Sequence, residues 1–201
     1  MSTFVENRGI ISETEPVGLL TEGAAGIAVI VLAIVGLAGV STASMAAIAT
    51  IVIGVGLMVQ GFTTAAENSR VVGAAGGAAM TGNDFAGEVM VDCLGGGTGV
   101  VLGILALIGV SAAPMLMPAA LIVFGGALLL SGALAMRTSP ATGGMETLIG
   151  IGGLVLGILS LLVAHSAVLL LVGFIAIGAA LLMVSAAFSG AVLRIFTTTT
   201  A

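Results

Sequence analysis

Six stretches of almost uninterrupted apolar residues follow one another along the chain, separated by short polar or glycine-rich segments. Each stretch has about 20 residues, the length that an α-helix needs to cross the hydrocarbon layer of a bilayer. The pattern therefore predicts an all-α integral membrane protein with six transmembrane helices. The predicted spans are residues 20–39, 44–64, 92–110, 115–136, 146–164 and 167–190.

These predicted helices pair into three hairpins within one membrane domain, which covers residues 18–192. The hairpins are 20–64, 92–136 and 146–190. Outside them we expect cytoplasmic segments: an N-terminal tail, a linker and a C-terminal tail, at 1–17, 65–91 and 193–201. The many glycines and mixed polarity of the linker predict a loop followed by a turn or short helix at the membrane surface.

The hairpins are also predicted to be internal repeats. Residues 101–107 (VLGILAL) match residues 155–161 (VLGILSL) after a shift of 54, and residues 122–129 match residues 175–182 after a shift of 53. The first hairpin carries shorter matches of the same kind. Copies that are inserted in the same direction are related by an axis along the membrane normal. We therefore expect a pseudo-threefold arrangement.

One part of this pattern resembles a known family. The stretch from Gly99 to Gly132, with Pro114 and Pro118 in its outer turn, is similar to the hairpins of the HdeD-like family of small bacterial membrane proteins. The resemblance implies a six-helix protein associated with acid or envelope stress and without a known catalytic site. The first and third hairpins depart from the family pattern, because neither has a proline in its outer turn.

The charged residues predict the orientation. The four arginines lie in the tails and in alternate connections, and the nine acids lie in the same zones. The connections near 39–44, 110–118 and 164–167 carry no charge unless His165 is protonated. Because positively charged loops stay in the cytoplasm, both termini are expected there, in a multi-pass protein of the cell (inner) membrane. The arginines are Arg8, Arg70, Arg137 and Arg194.

Composition excludes several classes of function. Only 6% of the residues are charged, against about 25% in soluble domains, so most of the surface is expected to face lipid. Nucleic-acid binding requires clustered Lys and Arg, which the chain lacks. Cys93 and His165 are single residues on opposite sides of the predicted membrane, so we expect no disulfide, no metal site, no cofactor and no catalytic set. The chain is therefore not expected to be an enzyme.

Glycines at four-residue spacing are the first candidate feature. Gly95, Gly99 and Gly103 are predicted to form one face of the third helix, and Gly153 with Gly157 repeats the spacing in the fifth. Small residues allow helices to approach closely in lipid. Such a face packs either against another helix of the same chain or against another subunit, and the sequence leaves both interpretations open.

Carboxylates near the helix starts are the second candidate feature. Glu22, Asp92 and Glu146 lie near the beginning of the first, third and fifth predicted helices. An anion there is stabilised by the helix dipole, by about 0.3–1 kcal/mol. The alternative is a ring of three carboxylates at a cytoplasmic mouth that binds cations or protons. Glu88 joins this candidate site, because Asp84, Glu88 and Asp92 would share one face of a helix, either solvated or binding a divalent cation.

These observations predict a non-catalytic membrane protein. Its expected role is that of a structural or accessory subunit, which assembles with copies of itself or with other membrane subunits in the lipid bilayer. The alternative is a small transporter or channel, with a pore along the pseudo-threefold axis or between subunits. A transport path needs a polar stripe through several helices, and the sequence offers only scattered Ser and Thr residues and Gln60.

Overall fold

The computed structural model describes residues 14–74, 82–110, 113–137, 140–163 and 166–198. Over these residues the protein has six helices and no strand, so the predicted all-α class is confirmed. Four helices contain stretches that are long and apolar enough to cross a membrane, which is compatible with a multi-pass membrane protein. The helices are α1 Thr14–Leu37, α2 Thr42–Ala74, α3 Gly82–Leu107, α4 Ala113–Ala135, α5 Pro140–Leu162 and α6 Ala167–Thr198.

Consecutive helices contact each other, and α1 also contacts α6, so the six helices form a closed ring. Helices α2, α4 and α6 contact one another in the middle. Each odd-numbered helix lies outside, in the groove between two of these: α1 between α6 and α2, α3 between α2 and α4, and α5 between α4 and α6. The first and last helices of the chain are therefore neighbours, and their contact closes the ring.

The most extensive contacts in the ring join α2 to α3, α4 to α5, and α6 to α1. These pairs lie between the predicted hairpins, not within them. Each pair crosses at two glycines, where a Cβ on the first would lie 2.6–2.8 Å from the carbonyl oxygen of the second. Such close backbone approach is the usual basis of helix association in lipid. The crossings pair Gly26 with Gly178, Gly54 with Gly96, and Gly125 with Gly150.

The interior of the bundle is filled by side chains. Each central helix contributes three buried residues at positions i, i+3 and i+7, which is the spacing of one helix face. All nine are at most 2% exposed, and all except Thr50 belong to a single apolar cluster. These residues are Thr50, Ile53 and Leu57 of α2, Leu121, Phe124 and Leu128 of α4, and Phe174, Ile177 and Leu181 of α6.

Two of the turns use the same glycine geometry. Gly39 follows α1 and Gly109 follows α3, with φ angles of 88° and 78°. In each turn the next residue donates a backbone hydrogen bond to the carbonyl five residues earlier, from Val40 to Val35 and from Val110 to Leu105. This is the Schellman motif, in which glycine adopts the left-handed conformation at little cost. Both helices therefore end where the sequence predicted uncharged turns.

The predicted linker 65–91 differs from the structure. Helix α2 continues to Ala74, and α3 already begins at Gly82, so only residues 75–81 lie outside the described part. The apolar run marks where a helix can meet lipid, but a helix does not have to end where its side chains become polar. Ala65, Ala66 and Glu67, which are favourable helix formers, directly follow the apolar run of α2 and allow the helix to continue.

Candidate functional site

One end of the bundle contains a layer of buried polar side chains. It is the end at which α2 and α4 finish and α3 and α5 begin. The three central helices and two outer helices contribute to this layer. Burying such groups in an otherwise apolar environment costs free energy, so this layer is the candidate functional site. Its members are Gln60, Asp92, Ser131, Glu146 and Ser185.

Glu146 links two helices on opposite sides of the bundle. Its carboxyl group is buried, with 5% of the residue exposed. The amide Nε2 of Gln60 donates a hydrogen bond to Oε1 of Glu146 at 3.4 Å, which is long for this type of bond. Gln60 belongs to α2 and Glu146 to α5, two helices that do not otherwise pack together over the described residues. The Glu146 side chain therefore reaches into the centre of the bundle.

Asp92 is packed against α2. It is only 1% exposed, and Gly61 leaves the space for it, since a Cβ on Gly61 would lie 3.3 Å from the Asp92 Cβ. Cys93 lies against the same glycine, and Glu88, one turn earlier on α3, is half-buried. Ionisable groups inside membrane helices are rare, and they commonly mark ion or proton pathways.

The interpretation of these acids as helix-start residues is wrong for the two that the structure describes. Helix α3 begins at Gly82, ten residues before Asp92, and α5 begins at Pro140, six residues before Glu146. The dipole effect is confined to about the first turn. Asp92 and Glu146 therefore lie inside their helices. Glu22 also lies within the backbone of α1, but its side chain is outside the described part, as is that of Asp84.

The alternative interpretation, a carboxylate ring, is not tested by these positions. The structure does bring Asp92 and Glu146 to the same end of the bundle, and both are buried there. One interpretation of Asp84, Glu88 and Asp92 was a helix face in contact with water. Asp92 does not fit it, because its side chain is buried. Among the side chains that the structure describes, no three His, Cys, Asp or Glu residues are placed so that they could hold a metal ion.

The glycine run of α3 packs within the chain, but not on one face. Gly95 and Gly99 face α4, where added Cβ atoms would meet Ala127 and the ring of Phe124. Gly103 faces α2 instead, against Ile51. Because four residues turn an α-helix by about 400°, a four-residue spacing drifts by about 40° at each step. The prediction of a single face is therefore wrong over the full run.

The glycines of α5 also have partners in the same chain. Gly153 lies against Gly125 of α4, and Gly157 lies against Ile122 of the same helix. Like the three glycines of α3, both are buried. Of the two interpretations of these glycines, packing within the chain describes the structure, and a subunit-facing surface does not.

No family model matches this chain, and neither a curated protein nor a solved structure matches it. The resemblance to the HdeD-like family therefore stays a prediction from the glycine and aliphatic pattern.

Two features of the site were not predicted from the sequence. Gln60 contacts Glu146 across the bundle and is more than a scattered polar residue. The crossing glycines are the second feature. A signal for them is present, because Gly125 follows Gly54 by 71 residues and precedes Gly178 by 53. This recurrence marks Gly54, Gly125 and Gly178 as equivalent positions in the three repeats.

Replacing Glu146 tests whether its contact with Gln60 holds the bundle together. We expect Glu146→Ala to lower the free energy of unfolding by about 1–3 kcal/mol, because the Gln60 amide loses an acceptor and a space opens. Glu146→Gln should cost less than about 1 kcal/mol, since its amide oxygen can accept the same bond. Denaturant titration in detergent measures both values. Met145→Ala, at the exposed neighbouring position, is the control. Equal losses of unfolding free energy for Glu146→Ala and Glu146→Gln would contradict this account.

Proposed function

We propose that the chain spans the cell (inner) membrane six times, as three repeated hairpins with both termini in the cytoplasm. The glycine crossings support the repeats. The shift of 53 from Gly125 to Gly178 and the shift of 54 from Gly96 to Gly150 are those of the apolar repeats. The matching turns at Gly39 and Gly109 support the same register in the first two hairpins. Similarity to the HdeD-like family remains part of this proposal.

Within that arrangement we propose a non-catalytic role, as a structural or accessory subunit that packs with copies of itself or with other membrane subunits. The observation that carries this proposal is the filled centre of the bundle. A channel along the axis would need an open or polar passage, whereas three layers of buried side chains occupy the middle of α2, α4 and α6. The outer surface is strongly apolar, which suits contact with lipid and with neighbouring membrane helices.

The polar layer favours a second candidate, a small transporter or channel for an ion or small solute. Buried carboxyl groups at Asp92 and Glu146 are the chemistry that a cation or proton pathway would use. Such a path would have to continue past the apolar centre, either through rearrangement of the central helices or between subunits. It ranks second because, towards the other end, the buried polar side chains of the described residues are only Thr50 and Ser160. Their hydroxyls donate to the carbonyls of Ala46 and Ser166.

Flux and particle mass separate the two candidates. We expect liposomes that contain the purified protein to show the same proton and cation flux as empty liposomes. We also expect the particle extracted from native membranes in mild detergent to contain more protein than one chain of 19.4 kDa. Flux that Glu146→Gln abolishes would replace the structural role with transport. A single chain without flux would remove the support for an assembly subunit.

The topology is tested by labelling single cysteines in intact cells. In a Cys93→Ala background, Val40→Cys lies in the turn between α1 and α2, and Met136→Cys lies in the turn after α4; both positions are exposed. A membrane-impermeant maleimide should modify the cysteine at position 40 at once. The cysteine at position 136 should react only after the cells are permeabilised. The reverse pattern would place both termini outside.

A further inference from the structure

We draw no further inference here: the strongest candidate, the cluster of Gln60, Asp92 and Glu146 at one end of the bundle, belongs to the site already described and is an acidic cluster for which no second observation points to a ligand.

Discussion

Gly125→Ala should lower the free energy of unfolding by about 1–3 kcal/mol, whereas Gly126→Ala, one residue later, should leave it unchanged or raise it by up to about 1 kcal/mol. At Gly125 the new methyl group would lie 2.8 Å from the Gly150 carbonyl oxygen, among backbone atoms of α5 that cannot turn aside. At Gly126 nothing lies within 4 Å of the added carbon. The two changes are chemically identical, so the difference between them isolates the helix crossing.

Thermal or denaturant unfolding of both variants, in the same detergent, measures this difference. The chain offers a second matched pair on α3, where Gly96 meets the Gly54 region of α2 and neighbouring Gly97 faces open space. Gly96→Ala should behave like Gly125→Ala, and Gly97→Ala should behave like Gly126→Ala. If both members of each pair destabilised equally, the effect would belong to the helix backbone and not to the crossing.

Phe124→Ala should produce the largest loss, about 2–4 kcal/mol. The ring is fully buried, and its far edge occupies the space that Gly99 leaves between α3 and α4. In lipid the unfolded helices remain in an apolar medium, so little of this loss comes from transfer out of water. Most of it comes from the cavity, whose cost rises by about 24 cal/mol for each cubic ångström that stays empty.

The matched control is Phe62→Ala, on a residue of α2 that is 58% exposed. Lipid can fill the space that this change leaves, so its cost should stay below about 1 kcal/mol. Phe124→Leu is the second comparison, because it keeps most of the volume and should cost less than Phe124→Ala. Denaturant titration of the three variants checks the order. A loss at Phe62 as large as that at Phe124 would show that the centre is not closely packed.

The number of helices and their approximate positions could be predicted because six apolar runs, each about 20 residues long, stand out along the chain. Which face of each helix points inward could not be predicted from hydropathy. Leu128 is 2% exposed and Leu148 is 70% exposed, although the two side chains are identical. Lipid is as apolar as the protein core, so the same apolar side chains occur on lipid-facing and on buried faces. Glycines that recur at equivalent positions of the repeats, such as Gly54, Gly125 and Gly178, carry part of the missing information.

The site was predicted only in part, for a related reason. Asp92 and Glu146 lie at the edges of apolar runs, so hydropathy alone places the start of a helix at each of them. The helices begin earlier, so the two acids are enclosed by neighbouring helices. Gln60 was identified as polar, but its contact with a residue 86 positions later depends on the tertiary arrangement. Local sequence cannot indicate such a contact.

The closure of the ring between α1 and α6 has a consequence for biosynthesis. Gly26 meets Gly178, so α1 makes its most extensive contact with a helix that is synthesised more than 100 residues later. The crossings of α2 with α3 and of α4 with α5 can form while the ribosome is still translating, because domains are built from the N-terminal side onward. In a chain truncated before α6, Gly26 of α1 would therefore remain without the helix that covers it.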